Sequence, residues 1–226
     1  MQNTPLKIIV VAGTSSNSGK TTLVCELLRQ LTATDAWEAI KLSRGHYRSC
    51  GKDPHTCCVS GLLGATPTIR SGRAATFPKG TDGKDTGRFW EAGASNVHWV
   101  IATDEQVEAG MQSALARVKT AGVIIEGTSI LRYLKPDFSV LALKSGETKG
   151  KASARQAIQL QRLDAVYLNE LADLAACPDE ALRTALIDLP AYDTKQRDAL
   201  LAALQAKLDM GSHTPSTLDH LSPDKA

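Results

Sequence analysis

No stretch of this 226-residue chain approaches the roughly 18 consecutive apolar residues that a membrane-spanning helix requires, so no spanning helix is expected. Charge of one sign is also missing. With 26 basic against 24 acidic residues the formal charge is +2, too little to give a broad field for gripping nucleic acid or an anionic membrane. The segment Met1 to Pro5 is polar and lacks a signal-peptide core, which leads to the expectation of a cytoplasmic protein. The chain holds five cysteines, and in a reducing compartment they do not form a disulfide framework. Internal repeats and low-complexity segments are absent. What remains is 42% hydrophobic residues, enough for the core of a single domain, expected over residues 1–210 with a flexible polar tail over 211–226.

Within that ordinary background one stretch stands out. In Val10-Val11-Ala12-Gly13-Thr14-Ser15-Ser16-Asn17-Ser18-Gly19-Lys20-Thr21-Thr22-Leu23 a glycine-rich turn and a lysine lie between an apolar strand and an amphipathic helix. Backbone N–H groups of the turn and the helix N-terminus would point at a triphosphate. Lys20 would reach the β and γ phosphates and the Thr21 hydroxyl would ligate Mg²⁺. Gly13 through Thr22 are therefore the candidate nucleotide-binding residues. Thr14 stands where the usual pattern has its first glycine, and Gly13 lies one residue further out, so the loop is one residue longer than usual.

Short apolar runs alternate with helical patterns, the sign of an α/β fold: a single three-layer domain with a mostly parallel sheet flanked by helices. Strands are expected at Ile8 to Val11, Trp37 to Leu42, Val97 to Ala102, Val123 to Ile125, Phe138 to Leu143 and Ala165 to Leu168. Thr103 with Gln106 predicts a capped helix carrying Val107, Met111, Leu115 and Val118 on one face. Further helices are expected over Ala152 to Leu163, Asp179 to Ile187 and Thr194 to Met210. Residues 43–95 lose all periodicity and are expected to form a long loop that closes over a substrate.

Four groups of residues in this frame carry chemistry. The strand ending in Glu126-Gly127 brings an acid to the carboxyl edge of the sheet, where it can hold Mg²⁺. The run Asp82-Gly83-Lys84-Asp85-Thr86-Gly87-Arg88 supplies the cations that phosphoryl transfer needs, and an acid in Asp85 to orient Mg²⁺ or a nucleophile. Lys20, Lys84, Asp85, Arg88 and Glu126 are thus the candidate catalytic set, with Thr21, Asp85 and Glu126 as magnesium ligands. Cys50, Cys57 and Cys58, with His46 and His55, are soft donors that could hold Zn²⁺ or an iron–sulfur cluster, although adjacent cysteines lack the Cys-x-x-Cys geometry. Cys25 and Cys177 read as core or surface residues. Asn169, after the strand at 165–168, is a candidate for the nucleotide base. The run Asn169-Glu170-Leu171-Ala172-Asp173 is not the N-K-x-D of GTP-binding proteins, and ATP and GTP both remain open.

The pattern Gly83-Lys84-Asp85-Thr86-x-Arg88-x-x-x-Ala92-Gly93-Ala94 resembles the G-K-D-[ST]-x-R-x-x-x-A-G-A motif of the MobB proteins, GTP-binding accessories of molybdopterin guanine dinucleotide synthesis. The Ser18 to Leu23 run, Lys41 with His46 downstream, and Glu126-Gly127 fall in that family's order, and the resemblance covers about residues 6–140. The wording Gly13-Thr14-Ser15-Ser16 is also similar to dethiobiotin synthetase and cobyrinic acid a,c-diamide synthase, which activate carboxylates with ATP. The chain departs from MobB in a longer stretch between His46 and Gly83, which holds three cysteines, and Ser15 stands where partition ATPases carry a helper lysine. The resemblance implies a Mg²⁺-dependent NTPase that serves a small-molecule cofactor and forms a homodimer. Two alternatives stand beside it: a small-molecule kinase or ligase whose acceptor site is the 46–88 loop, and a metal carrier with a nucleotide switch.

Overall fold

The computed structural model describes residues 5–44, 59–72, 85–144, 146 and 150–211. The described residues form one α/β domain in three layers. Strands β1 (Lys7–Gly13), β2 (Trp37–Arg44), β3 (Thr68–Ser71), β4 (Asn96–Ala102), β5 (Gly122–Glu126), β6 (Phe138–Ala142), β7 (Ala165–Tyr167) and β8 (Ala191–Tyr192) form one sheet in the order β3-β4-β2-β5-β1-β6-β7-β8. All neighbours run parallel except β3, which pairs antiparallel with β4 at the edge.

Strand β1 is apolar from Ile8 to Ala12 because both of its faces are covered. In β1, Ile9 and Val11 face helices α1 (Lys20–Leu31), α2 (Asp85–Glu91) and α7 (Arg197–Gly211), while Val10 and Ala12 face α3 (Val107–Leu115), α4 (Ala152–Gln159) and α6 (Glu180–Leu186). The short α5 (Ala172–Ala175) completes the helices described. Helix α1 docks through Leu23, Val24, Leu27, Leu28 and Leu31, all buried at the spacing of one helical face. Burying side chains of this size contributes about 1.5–3 kcal/mol each. Among the described residues no helix is long and apolar enough to cross a membrane.

Several elements differ from the sequence expectation. The stretch over 43–95 is not irregular throughout: Arg44 still belongs to β2, and β3 and α2 both lie inside the span expected as loop. Four residues of edge strand and a seven-residue helix containing Gly87 are too short to show a period. Helix α4 stops at Gln159 rather than Leu163, because Gln161 takes a left-handed conformation (φ 51°) without a glycine to announce it. Thr103 does not open α3 directly. A 3₁₀ turn over Asp104–Gln106 intervenes, in which the Gln106 side chain accepts from the Thr103 N–H at 3.0 Å, and α3 ends at Leu115, before Val118.

Candidate active site

The register of three strands builds the site. Val11 of β1, Glu126 of β5 and Lys41 of β2 are paired neighbours across the sheet, so their side chains emerge on one face. That face is the one α1 and α2 cover. Thr21, in the first turn of α1, donates its hydroxyl to Glu126 Oε2 at 2.9 Å, and Asp85, the first residue of α2, forms an ion pair with Lys41 at 2.7 Å. Lys41 also pairs with Glu126, which is 2% exposed, and Thr21 lies close enough to the Asp85 carboxylate to help lower its pKa. Four residues distant in sequence therefore close into one network at the carboxyl edge of the sheet.

Above this network lies the loop. Gly19 (φ 85°) and Asn17 (φ 60°) take left-handed conformations, which glycine and asparagine tolerate best. They turn the chain so that α1 starts without a side-chain cap and without an acidic residue in its first turn. A helix start of that kind is an anion site, because its free N–H groups and dipole both favour negative charge. The Lys20 ammonium folds back to donate to the Ser15 carbonyl at 2.7 Å and to Ser18 Oγ at 3.1 Å. Gly13 makes room for this: a Cβ there would lie 2.3 Å from Ser18 Oγ and 2.7 Å from Lys20 Cδ. Gly13→Ala is expected to weaken nucleotide binding about tenfold, roughly 1.4 kcal/mol. The thermal transition should fall as well, since buried Ser18 and the Lys20 stem, whose Cγ would lie 2.9 Å away, must both shift. Titration with nucleotide and a melting curve check both halves.

The loop is bolted from beneath. Thr14 is fully buried; its N–H donates to the Ala142 carbonyl at 3.1 Å and its carbonyl accepts from the Lys151 N–H at 2.9 Å. Thr128 closes the other side, accepting from the Gly13 N–H at 2.9 Å and donating to the Gly13 carbonyl at 3.0 Å. A cavity of about 560 Å³ opens over the loop, walled by Ser16 to Thr22 together with Lys41, Arg44, Val59, Asp85, Arg88, Glu126, Lys151 and Ser153. Arg88 donates to Thr22 Oγ1 at 3.2 Å, and Lys151 Nζ donates to Ser16 Oγ at 3.3 Å.

Burial pushes the Lys20 ammonium down to about 8; attraction from Glu126 opposes this, and Lys41 and Lys151 add to the lowering. Burial would also depress Lys41, but Glu126 and then Asp85 outweigh it and hold this lysine above its ordinary range. For Asp85 burial acts upward and is overcome by Lys41, with help from Thr21 and Arg88, so its carboxyl stays below the ordinary range. The sign for Lys20 gives a pH dependence. Bound phosphates favour the charged lysine, so above pH 8 nucleotide binding must take up a proton and the affinity should fall by about tenfold per pH unit, levelling off below pH 8. Calorimetry near pH 9 in two buffers of different ionisation enthalpy would show that uptake as a difference in apparent heat.

The structure thus brings Ser16 to Thr22, Asp85, Arg88 and Glu126 to one cavity wall. Gly13, Thr14 and Ser15 lie behind that wall, as its support. Asn169 is exposed, and its carbonyl accepts from Thr194 Oγ1 at 3.2 Å; it is not part of the cavity lining. Lys84, Asp82, Gly83, His46, His55, Cys50, Cys57 and Cys58, and the tail beyond 211, lie outside the described residues. Cys25 and Cys177 are buried and are not joined in a disulfide. Among the described residues no group of three His, Cys, Asp or Glu side chains is placed to hold a metal ion. Thr128, Lys151 and Ser153 were not legible as site residues, since nothing in their local sequence marks them. The resemblance to MobB pointed to Lys41, but without its ion pairs.

No family model matches the chain, and no curated protein matches it. Among solved structures it is similar to the apo form of LpxK from Aquifex aeolicus in complex with ATP, with a TM-score of 0.45 and 19% identity over 83% of this chain and 53% of that one. The chain therefore spans about half the length of that protein.

Proposed function

We propose that this protein binds a nucleoside triphosphate with Mg²⁺ in the Lys20 loop and hydrolyses it, as an NTPase of MobB-like kind acting with a small-molecule cofactor. The observation that carries the proposal is the convergence of Lys20, Thr21, Lys41, Asp85 and Glu126 at the uncapped start of α1. The oxygen donors fit magnesium, because the Thr21 hydroxyl and the Glu126 and Asp85 carboxylates are hard ligands already drawn together. Bound there, the ion would supply positive charge to the transferring phosphoryl group.

The chain's own residues do the remaining work. The first-turn N–H groups of α1 and the Lys20 ammonium hold the phosphates and balance the charge that spreads over the γ-phosphoryl as its bond to the β-phosphate breaks. Arg88, anchored on Thr22 by α2, adds a second cation at the rim of the cavity. Asp85 is half exposed there and can orient an attacking water. The motif that carries the MobB reading starts α2, so Asp85 and Arg88 reach the cavity from one short helix. That likeness also supports a homodimer, GTP, and a role in molybdopterin guanine dinucleotide synthesis.

A kinase or ligase is the second reading, favoured by the extension of the cavity past the phosphate cradle to Arg44 and Val59, where an acceptor could sit. Incubation with γ-labelled ATP and with γ-labelled GTP, each with and without a metabolite extract, decides between them. Release of labelled phosphate alone supports the NTPase, and a labelled metabolite supports the kinase. If neither nucleotide is bound or cleaved, both readings fail.

A further inference from the structure

We infer that the Lys41 ammonium occupies the place of the magnesium ion between Glu126 and Asp85, so that the metal is admitted only together with the triphosphate. The inference rests on the reading of Thr21, Asp85 and Glu126 as the magnesium set and adds a rule for how that set is filled. Its basis is geometric. Lys41 contacts both carboxylates at once, Thr21 donates its hydroxyl to Glu126 and lies beside Asp85, and Glu126 is 2% exposed, so its charge is balanced by Lys41.

Charge arithmetic gives the consequence. Two carboxylates and one ammonium leave a net charge of −1 in the network. Adding a divalent ion turns that to +1 beside Lys20, Lys151 and Arg88, all of which line the same cavity, so metal alone is repelled. A triphosphate reverses the balance. Its negative charge compensates the cations of the wall and gives the displaced ammonium a new partner, which leaves both carboxylates and the Thr21 hydroxyl to the metal. Because Asp85 begins α2, release of its ion pair also frees the start of the helix that carries Arg88. Lys41 is therefore a positioning residue that couples arrival of the metal to arrival of the nucleotide.

The test uses Mn²⁺, whose binding is followed by electron paramagnetic resonance without any turnover. The nucleotide-free protein should bind Mn²⁺ weakly, and Lys41→Met should bind it at least about tenfold more tightly, because two carboxylates then lack a counter-ion. Lys41→Arg keeps the cation and should stay weak. If Lys41→Met does not fold, Lys41→Met/Asp85→Asn is compared with Asp85→Asn alone, and the same direction of change is expected. Equal or weaker Mn²⁺ binding on loss of Lys41 overturns the inference, as does strong binding by the nucleotide-free wild type. A nucleotide titration of the wild type keeps the two failures apart. Absence of nucleotide binding would sink the proposed NTPase while leaving the Mn²⁺ comparison intact, whereas normal nucleotide binding with unchanged Mn²⁺ affinity would sink only the role given to Lys41.

Discussion

Lys20→Ala is expected to lower nucleotide turnover by about 10³-fold or more, near 4 kcal/mol of lost transition-state stabilisation, with the fold left intact. The two halves of that expectation have different causes. Turnover falls because the ammonium is aimed into the loop by Gly13 and held by the Ser15 carbonyl and Ser18, in position to balance charge that grows only as phosphoryl transfer proceeds. Stability survives because the native state works against this charge. Burial holds Lys20 near 8, so below that pH its charged form is disfavoured relative to the unfolded chain, and the penalty disappears only as pH rises from about 8 toward the unfolded value of 10.5. At neutral pH the alanine variant should therefore melt no lower than wild type. Retained turnover in a well-folded variant would remove the phosphate site from this loop. Loss of turnover together with loss of the folded circular dichroism spectrum would contradict the stability half.

The second large effect lies away from the cavity. Glu38 and His98 are each nearly fully buried between β2 and β4, with His98 Nε2 and Glu38 Oε2 2.7 Å apart. Glu38 Oε1 accepts from the Lys119 N–H at 2.7 Å, and His98 Nδ1 lies 2.7 Å from Ser71 Oγ on β3. One carboxylate thus joins two strands and the turn before β5, and through His98 it fixes the antiparallel edge. Glu38→Ala strands the imidazole and an N–H in an apolar interior, at an expected cost of about 3–5 kcal/mol. That is a large fraction of the roughly 5–15 kcal/mol that holds a domain together. Urea unfolding should show an earlier midpoint at unchanged slope. Glu38 lies three residues before Lys41 on β2 and faces the other side of the sheet, so nucleotide affinity should be unaffected in the folded fraction. A change below about 1 kcal/mol would mean that water entering the vacated space satisfies His98 and the Lys119 N–H, and that the Glu38 contacts do not hold the edge.

The contrast between these two sites shows where the sequence is readable. Lys20 sits in a local pattern of strand, turn and helix, and local patterns survive in one dimension. Glu38 and His98 lie inside apolar strand patterns, and their meeting depends on β2 and β4 being sheet neighbours. Helix α2 shows a mixed outcome. Asp85 and Arg88 stand out in the sequence by residue type, yet the helix that presents them is only seven residues long and holds by packing Phe89 against the α1 face. Tertiary contact makes that helix, so local propensity could not announce it.

The sequence alone determined the alternation of buried strands and covering helices and the glycine- and lysine-bearing turn between β1 and α1, because both are written at spacings shorter than one element. The tertiary structure alone decided that β5 lies between β1 and β2. That placement sets Glu126 beside both the loop and Lys41, and so turns separate charged residues into one ion-paired network. The physical reason is that strand order is settled by which apolar faces can be buried together, a property of the whole sheet.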